Sequence, residues 1–484
     1  MPKRNLIWAV AIIAAAAAVM VVTRTPPPPP DDPDHVRFRP VIQAYRTICD
    51  HYYRPVKDGL LPQASVRGMV EQLDEYSSYI PPEKVRAFND RLRGYVTGVG
   101  MLVDRADAGI EVIGALPGSP ADAEGIGPGD RLEAVDDSPV EQLSAEEVRK
   151  LLSGPAGTDV KLALVDSSGR PRRCELTRRR FPVETVTGLF RRPDRKWNYL
   201  VDPEHEIGYV RIREFIWPGK RDESAPNTTA SFRRALHELS EVRSIILDLR
   251  DNPGGHQEAC CAVADMFLRS GVIYTTVDRR GVHVHRAHSG GTWRPKPTVV
   301  LIDGRTASAA EIVAGALRLH DRAVLVGTRT RGKGFVQSLI RLPGNLGQVN
   351  LTTAEFFVGT DRPISPRPDR DGWGVEPHCL VPLTPAQRRA LRRSWMVAEV
   401  VPSAAPAPAT VPATGPATAP ASRPADRYLA DDPQLAAAVA LLRKEGAVGQ
   451  VLLRAAAERR AREEKRRLER LRTAATQPGG NRDE

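Results

Sequence analysis

The sequence has few cysteines for its length: five in 484 residues, Cys49, Cys174, Cys260, Cys261 and Cys379. They form no C-x-x-C pair and no zinc-ligand spacing, and an odd number cannot all pair within one chain. Neither a disulfide scaffold nor a metal site is expected, and no organic cofactor is implied. No internal repeat of fixed period is present. The net charge of +11 is partly local, because nine Arg or Lys face four Glu between Arg454 and Arg472. That stretch reads as a solvated helix with Glu458/Arg462 and Glu463/Arg467 one turn apart. Nucleic-acid binding is not expected of it.

With 41% hydrophobic residues the chain has an ordinary globular composition and room for about two to four domains. It opens with Lys3 and Arg4 before an uncharged apolar run from Leu6 to Val22, 17 residues long. This is the short end of what spans a bilayer. No small-x-small cleavage site follows it clearly, so residues 1–25 are expected to form an uncleaved single-pass membrane anchor. A cleaved signal peptide with a soluble periplasmic body is the alternative. In both cases the body is exported, on the periplasmic or extracytoplasmic side, because the positive charges stay in the cytoplasm.

Composition divides the rest. Residues 26–35 are a stiff Pro-rich spacer, and 36–92 read as a mostly helical segment. Residues 93–182 form a compact unit with strand and turn signals. From 183 to 397 strands alternate with helices, the pattern of an α/β core. A Pro/Ala/Thr linker of low complexity covers 398–426, and a basic helical tail covers 427–484.

Two strand-turn-helix units in the core carry chemistry. "SIILDLR" breaks at "DNPGG" before a helix, and "TVVLI" breaks at Asp303-Gly304 before "SAAEIVAGALRLH". Ser308 therefore sits at a helix start, where a serine most commonly caps the helix. An unpaired N–H, that of Ala309, lies beside it, and the Gly254-Gly255 turn lets another backbone N–H approach. Two such donors aimed at one point can form an oxyanion hole. A serine nucleophile also needs a base.

The loop "GTRTRGKG" offers Lys333. Its letters nearly match a phosphate-binding P-loop, but Gly334 stands where Ser or Thr must ligate magnesium, and "FVQSLIRL" alternates as a strand rather than a helix. If "KGFVQ" is a strand, Lys333 and Gln337 share a face, and Gln337 can orient the amine. Lysine is a base only when neutral, which requires burial or nearby positive charge such as Arg329 or Arg331.

The ordered segments "GMVEQLDEYSSY", "TGVGMLV", "GSPADAEGIGPGDRLEAVDD", "IGYVRIREF", "IILDLRDNPGG", "TASAAEIVAGAL", "VGTRTRGKGFVQS" and "LTTAEFF" span about two thirds of the chain. Together they resemble the C-terminal processing proteases, tail-specific serine peptidases of family S41 with an inserted PDZ domain. The resemblance implies a crotonase- or ClpP-like α/β protease core, an α+β PDZ domain and an N-terminal helical segment. It implies Ser308 as nucleophile, Lys333 as general base 25 positions on, and Gln337 as the residue that positions it. Gly254 or Gly255, with Ala309, would supply the oxyanion donors. The loop Gly98-Val99-Gly100 would offer N–H groups to a peptide's terminal carboxylate, beside a helix "SAEEVRKLL" opened by a Ser144/Glu147 capping box. The partners implied are protein substrates with accessible C-terminal tails, and an adaptor or activator is left open. The sequence departs from the family at "GVEPHC", where His378 replaces a common acid.

Other readings are a Ser-His-Asp triad using His256 or His320, a metal on His283, His285 and His288, and a catalytically silent membrane-tethered PDZ scaffold that binds C-termini.

Overall fold

The computed structural model describes residues 33–107, 109–219, 225–288, 296–360, 362–367, 372–400 and 424–476. The apolar run from Leu6 to Val22 lies outside them. Among the described residues no helix is long and apolar enough to cross a membrane. The chain divides after Glu75. The first unit contains helices α1 (Pro33–His51) and α2 (Leu60–Glu71).

The second unit begins within the segment expected to be helical. Ser78–Ile80 is a short strand pairing antiparallel with Gln348–Asn350, so the core claims this stretch before helix α3 (Pro82–Leu92) begins. The mostly helical segment expected over 36–92 therefore contains a short core strand. A three-residue strand is too short for alternation to reveal it.

Residues 95–182 form a separate α+β unit. Strands β1 (Tyr95–Gly98), β2 (Met101–Ala106), β3 (Gly109–Ala115), β4 (Arg131–Val135), β5 (Asp159–Val165), β6 (Pro171–Thr177) and β7 (Arg179–Pro182) surround helix α4 (Ala145–Leu152). β1 pairs with β7 and closes the unit at its entrance. The main sheet runs β2-β3-β4-β5-β6, which leaves β2 at an edge. Its core is built from alternate residues such as Val103, Ile110, Val112, Leu162 and Leu164, as period-two burial requires. The Ser144/Glu147 capping box starts α4, with Glu147 accepting the Ser144 N–H at 2.8 Å.

Apart from a few two-residue strands, the rest of the second unit has β8 (Val186–Thr187), β9 (Leu200–Asp202), β10 (Ile207–Ile212), β11 (Ser244–Asp248), β12 (Val272–Asp278), β13 (Gly281–Arg286), β14 (Thr298–Ile302), β15 (Val324–Gly327), β16 (Phe335–Arg341), β17 (Gln348–Val358) and β18 (Cys379–Leu380). The helices are α5 (Thr228–Glu238), α6 (Gln257–Phe267), α7 (Ala309–Leu319), α8 (Pro385–Glu399), α9 (Pro424–Asp431), α10 (Pro433–Arg443) and α11 (Ala447–Thr476). A seven-stranded sheet has the order β8-β10-β11-β14-β15-β18, with β9 also on β10. β10, β11, β14, β15 and β18 are parallel neighbours. The apolar runs "IIL" and "VVLI" follow from burial on both faces, the usual condition of a parallel sheet.

Those two faces are distinct. Ile245, Leu247, Val300 and Ile302 pack with α5, α6 and α7. Ile246, Val299, Leu301 and Val326 pack with Leu435, Ala438 and Val439 of α10. The C-terminal segment is thus no detached tail: its first helices are a layer of the core. Burying a Val or Leu side chain contributes about 1.5–3 kcal/mol, so α10 is held firmly. A fully buried ion cluster adds specificity, with Arg250 bound at 2.6 Å to Asp248 and at 2.7 Å to Asp432. The core sequence therefore extends past the linker.

Candidate active site

Three loops leave the carboxyl ends of adjacent parallel strands, where open α/β sheets place ligands. The β11 loop carries Gly254 and Gly255 into α6, the β14 loop carries Ser308 into α7, and the β15 loop carries Lys333 into β16. Backbone bonds tie them together. The Ala307 N–H donates to Asn252 O at 2.9 Å, and the Arg331 N–H donates to Thr306 O at 3.0 Å.

Ser308 occupies the position before α7, in a capping box whose Glu311 carboxylate accepts the Ser308 N–H at 2.8 Å. The Glu311 N–H also donates to the Ser308 carbonyl at 2.8 Å. The Ser308 backbone has φ 54° and ψ −120°, a conformation that costs a non-glycine residue about 1–3 kcal/mol and is found mainly at functional sites.

Glu311 organises the site, and the sequence analysis did not single it out. It is wholly buried. One carboxylate oxygen accepts from the Thr330 hydroxyl and the Gly332 N–H, the latter at 2.7 Å. The other accepts the Ser308 N–H at 2.8 Å and the Lys333 N–H at 2.9 Å. Burial raises its pKa above the usual carboxylate value, and these bonds only partly oppose it. A shell made only of donors requires the ionised carboxylate. The available signal was the Ser-x-x-Glu spacing of a capping box, which here joins two loops as well as starting a helix.

Lys333 is half-buried, and its Nζ lies 5.5 Å from the Tyr76 ring centroid. It has no ion pair among the described residues. Burial lowers its pKa below the ordinary lysine value, Arg331 acts in the same direction, and Glu311 opposes them. Arg329 instead pairs with Glu376. β16 begins at Phe335, and its pairing shifts between Val336 and Gln337. Lys333 is therefore in a loop, and simple alternation does not relate it to Gln337. The Gln337 Nε2 donates to Thr352 Oγ1 at 3.3 Å. The glycines beside Lys333 serve close packing: a Cβ on Gly334 would lie 2.5 Å from Ser365 Oγ, and one on Gly332 would lie 2.6 Å from the Trp373 ring.

A Cβ on Gly254 would lie 2.8 Å from Ser308 Cβ and 2.9 Å from the Ala309 nitrogen, so this turn abuts the serine. The Gly254 N–H is already bonded to Asn252 Oδ1 at 2.8 Å. Among the described residues the N–H groups of Gly255 and Ala309 have no protein acceptor. His256 Nε2 lies 3.3 Å from Leu92 O, and His320 Nε2 lies 2.8 Å from Val272 O. Neither imidazole is bonded to Ser308, so no triad is assembled. His283 sits beside Asp278, and His285 stacks on Tyr274. His378 Nδ1 accepts the Leu325 N–H at 2.9 Å, so the unusual residue closes the edge between β15 and β18.

In the 95–182 unit, the Val99 and Gly100 N–H groups have no acceptor among the described residues. They precede the β2 edge, which lies beside α4, where Arg149 donates to the Val103 carbonyl at 3.3 Å. Gly100 has φ 74°, and a Cβ there would lie 2.1 Å from Ser119 Cβ. The Val99 side chain is buried in the unit's core.

Comparison with known proteins agrees with this architecture. Residues 206–381 match peptidase family S41, and residues 111–166 match a PDZ domain. The carboxy-terminal-processing protease of Bartonella bacilliformis is 31% identical over 71% of this chain and 74% of its own. The carboxyl-terminal-processing protease of Synechocystis is 31% identical over 63% of this chain and 68% of its own. Among solved structures, the photosystem II D1 C-terminal processing protease is 27% identical, covering 72% of this chain and 88% of that one at a TM-score of 0.42. The chain belongs to peptidase family S41, as a serine peptidase of the carboxyl-terminal processing type that carries a PDZ domain.

Proposed function

We propose that this peptidase hydrolyses its substrates through an acyl-enzyme on Ser308, with Lys333 as the base. The observation that carries the reading is the Glu311 carboxylate, which accepts the backbone N–H groups of both residues. It fixes the two loops relative to each other while leaving the amine uncommitted. The neutral Lys333 amine takes the Ser308 proton as the hydroxyl oxygen attacks the scissile carbonyl. Burial and Arg331 favour that neutral form. The N–H groups of Gly255 and Ala309 receive the developing oxyanion, where each donor is worth about 10²–10³ in rate. Gly254 is left out of this role because its N–H is taken by Asn252.

The protonated lysine then returns its proton to the leaving amine, and water repeats the sequence on the acyl-enzyme. Gln337, held through its Nε2 by Thr352, keeps its amide oxygen to accept from Lys333. Substrate tails would enter the PDZ groove by adding a strand to the β2 edge, with the terminal carboxylate on Val99 and Gly100. The charged start and the run from Leu6 to Val22 place the body on the extracytoplasmic side in this reading. Cleavage of an unfolded reporter by wild type, Ser308→Ala and Lys333→Ala chains tests it. Activity surviving in either variant defeats the corresponding assignment.

A further inference from the structure

A cavity of about 350 Å³ opens where the loops leaving β11 and β14 meet helix α8. Arg388, Leu391, Arg392 and Trp395 line it from one face of α8, together with Leu383 and Arg305. The volume suits a small ligand, and the site lies at the carboxyl ends of the parallel strands.

Two carboxylates, Asp251 and Asp303, also line it. Asp303 Oδ1 accepts the N–H groups of Asp251, Arg305 and Thr306, each at 3.0 Å. Asp251 pairs with Arg305 at 3.1 Å, and Glu399 pairs with Arg213 at 2.9 Å. Asp248 and Asp432 both serve Arg250. Three arginines thus face two carboxylates in the lining, an excess of positive charge. Arg388 donates to the Leu383 carbonyl, and neither it nor Arg392 has a carboxylate partner among the described residues. Against the Trp395 ring, with its guanidinium carbon 3.7 Å from the centroid, lies Arg211. Arg211 is 6% exposed, and its Nε has no hydrogen-bond partner. A concave surface with one unmatched sign of charge concentrates ligands of the other sign.

We propose that this cavity is a second carboxylate site, distinct from the PDZ groove, which takes the C-terminal end of a peptide whose last side chain is apolar. Arg388 and Arg392, one turn apart on α8, present two guanidinium forks to the carboxylate. The side chain rests against Trp395, Leu383 and Leu391. A peptide terminus fits better than a bare phosphate because half of the lining is apolar. The chain's own reaction also makes such ends: adding water across an amide leaves a new carboxylate on one product and an amine on the other. The loops that lead from Asp251 to Gly255 and from Asp303 to Ser308 start at this cavity, so an occupant touches the segments that shape the active site.

Calorimetric titration of the full chain tests this, with Ser308→Ala to prevent turnover and an acetylated pentapeptide ending in Ala-Leu as the probe. Two sites per chain are expected, falling to one when R388Q and R392Q are added. If the PDZ groove does not bind tails, the counts are one and none, so failure of that reading is separable from failure of this one. R392K alone, which keeps the charge and loses the fork, should weaken the cavity site at least about tenfold; this variant decides the matter if the double variant melts early. Equal counts with and without the arginines, unchanged affinity in R392K, equal binding of the peptide's C-terminal amide at the cavity, or its displacement there by equimolar inorganic phosphate would each overturn the proposal.

Discussion

Glu311 and Lys333 are joined through the backbone: the buried carboxylate accepts the Lys333 N–H at 2.9 Å while holding the Ser308 N–H at 2.8 Å. The side chain of Lys333 is thereby left free to act. Glu311→Gln keeps the shape but turns an NH₂ toward donors that need an acceptor. The expected result is a fall in kcat of about 10²-fold from misplaced loops, with KM nearly unchanged. Steady-state kinetics on a peptide reporter check this, and an unchanged kcat would remove Glu311 from the positioning role.

Lys333 also bears on stability. Its folded pKa lies below its ordinary value, with burial as the largest cause. Wherever the unfolded chain binds the proton and the folded one does not, stability rises with pH. Burying the charged form therefore costs stability below the folded pKa, and the cost disappears as pH rises toward about 10.4. Lys333→Met should abolish activity yet raise Tm at neutral pH, with the gain shrinking in alkali. Thermal melts across pH measure it.

His378 gives a second pH signature. Burial is the main cause holding its pKa at about 4, with Arg318 adding to it. Since the folded value is depressed, this group's contribution is intact above about 6.5 and is lost as pH falls toward 4. His378→Gln should give a shallower loss of Tm across that window than wild type, as read by paired melts.

The C-terminal layer is open to a direct test. Arg250 is wholly buried and is bound by both Asp248 and Asp432. Removing one partner of a buried pair costs about 3–5 kcal/mol, because the remaining charge loses its compensation. Asp432→Ala should therefore lower the free energy of unfolding by that amount in denaturant titrations. A cost near zero would mean that α10 is not clamped through this arginine.

Much of this was legible in the residues. The runs "IILD" and "TVVLI" read as buried strands, and the breaks after them located the loops that carry Gly254, Gly255 and Ser308. Other features were not local enough to read. Ala438 and Val439 look like any helical residues, and only contact with Val299 and Leu301 makes them core. The linker before them hid that relationship. Lys333 and Gln337 seemed to share a strand face because the sequence cannot display the irregularity between Val336 and Gln337. Glu311 did not stand out because the loop that supplies two of its backbone donors lies some twenty residues downstream.

The most direct test of the central claim is the pH dependence of acyl-enzyme formation, measured by pre-steady-state bursts with an activated ester on wild type, Ser308→Ala and Lys333→Ala. The account predicts a burst in wild type alone, with a rate that rises through an apparent pKa below that of free lysine. A burst that survives in Lys333→Ala with the same pH profile would contradict it.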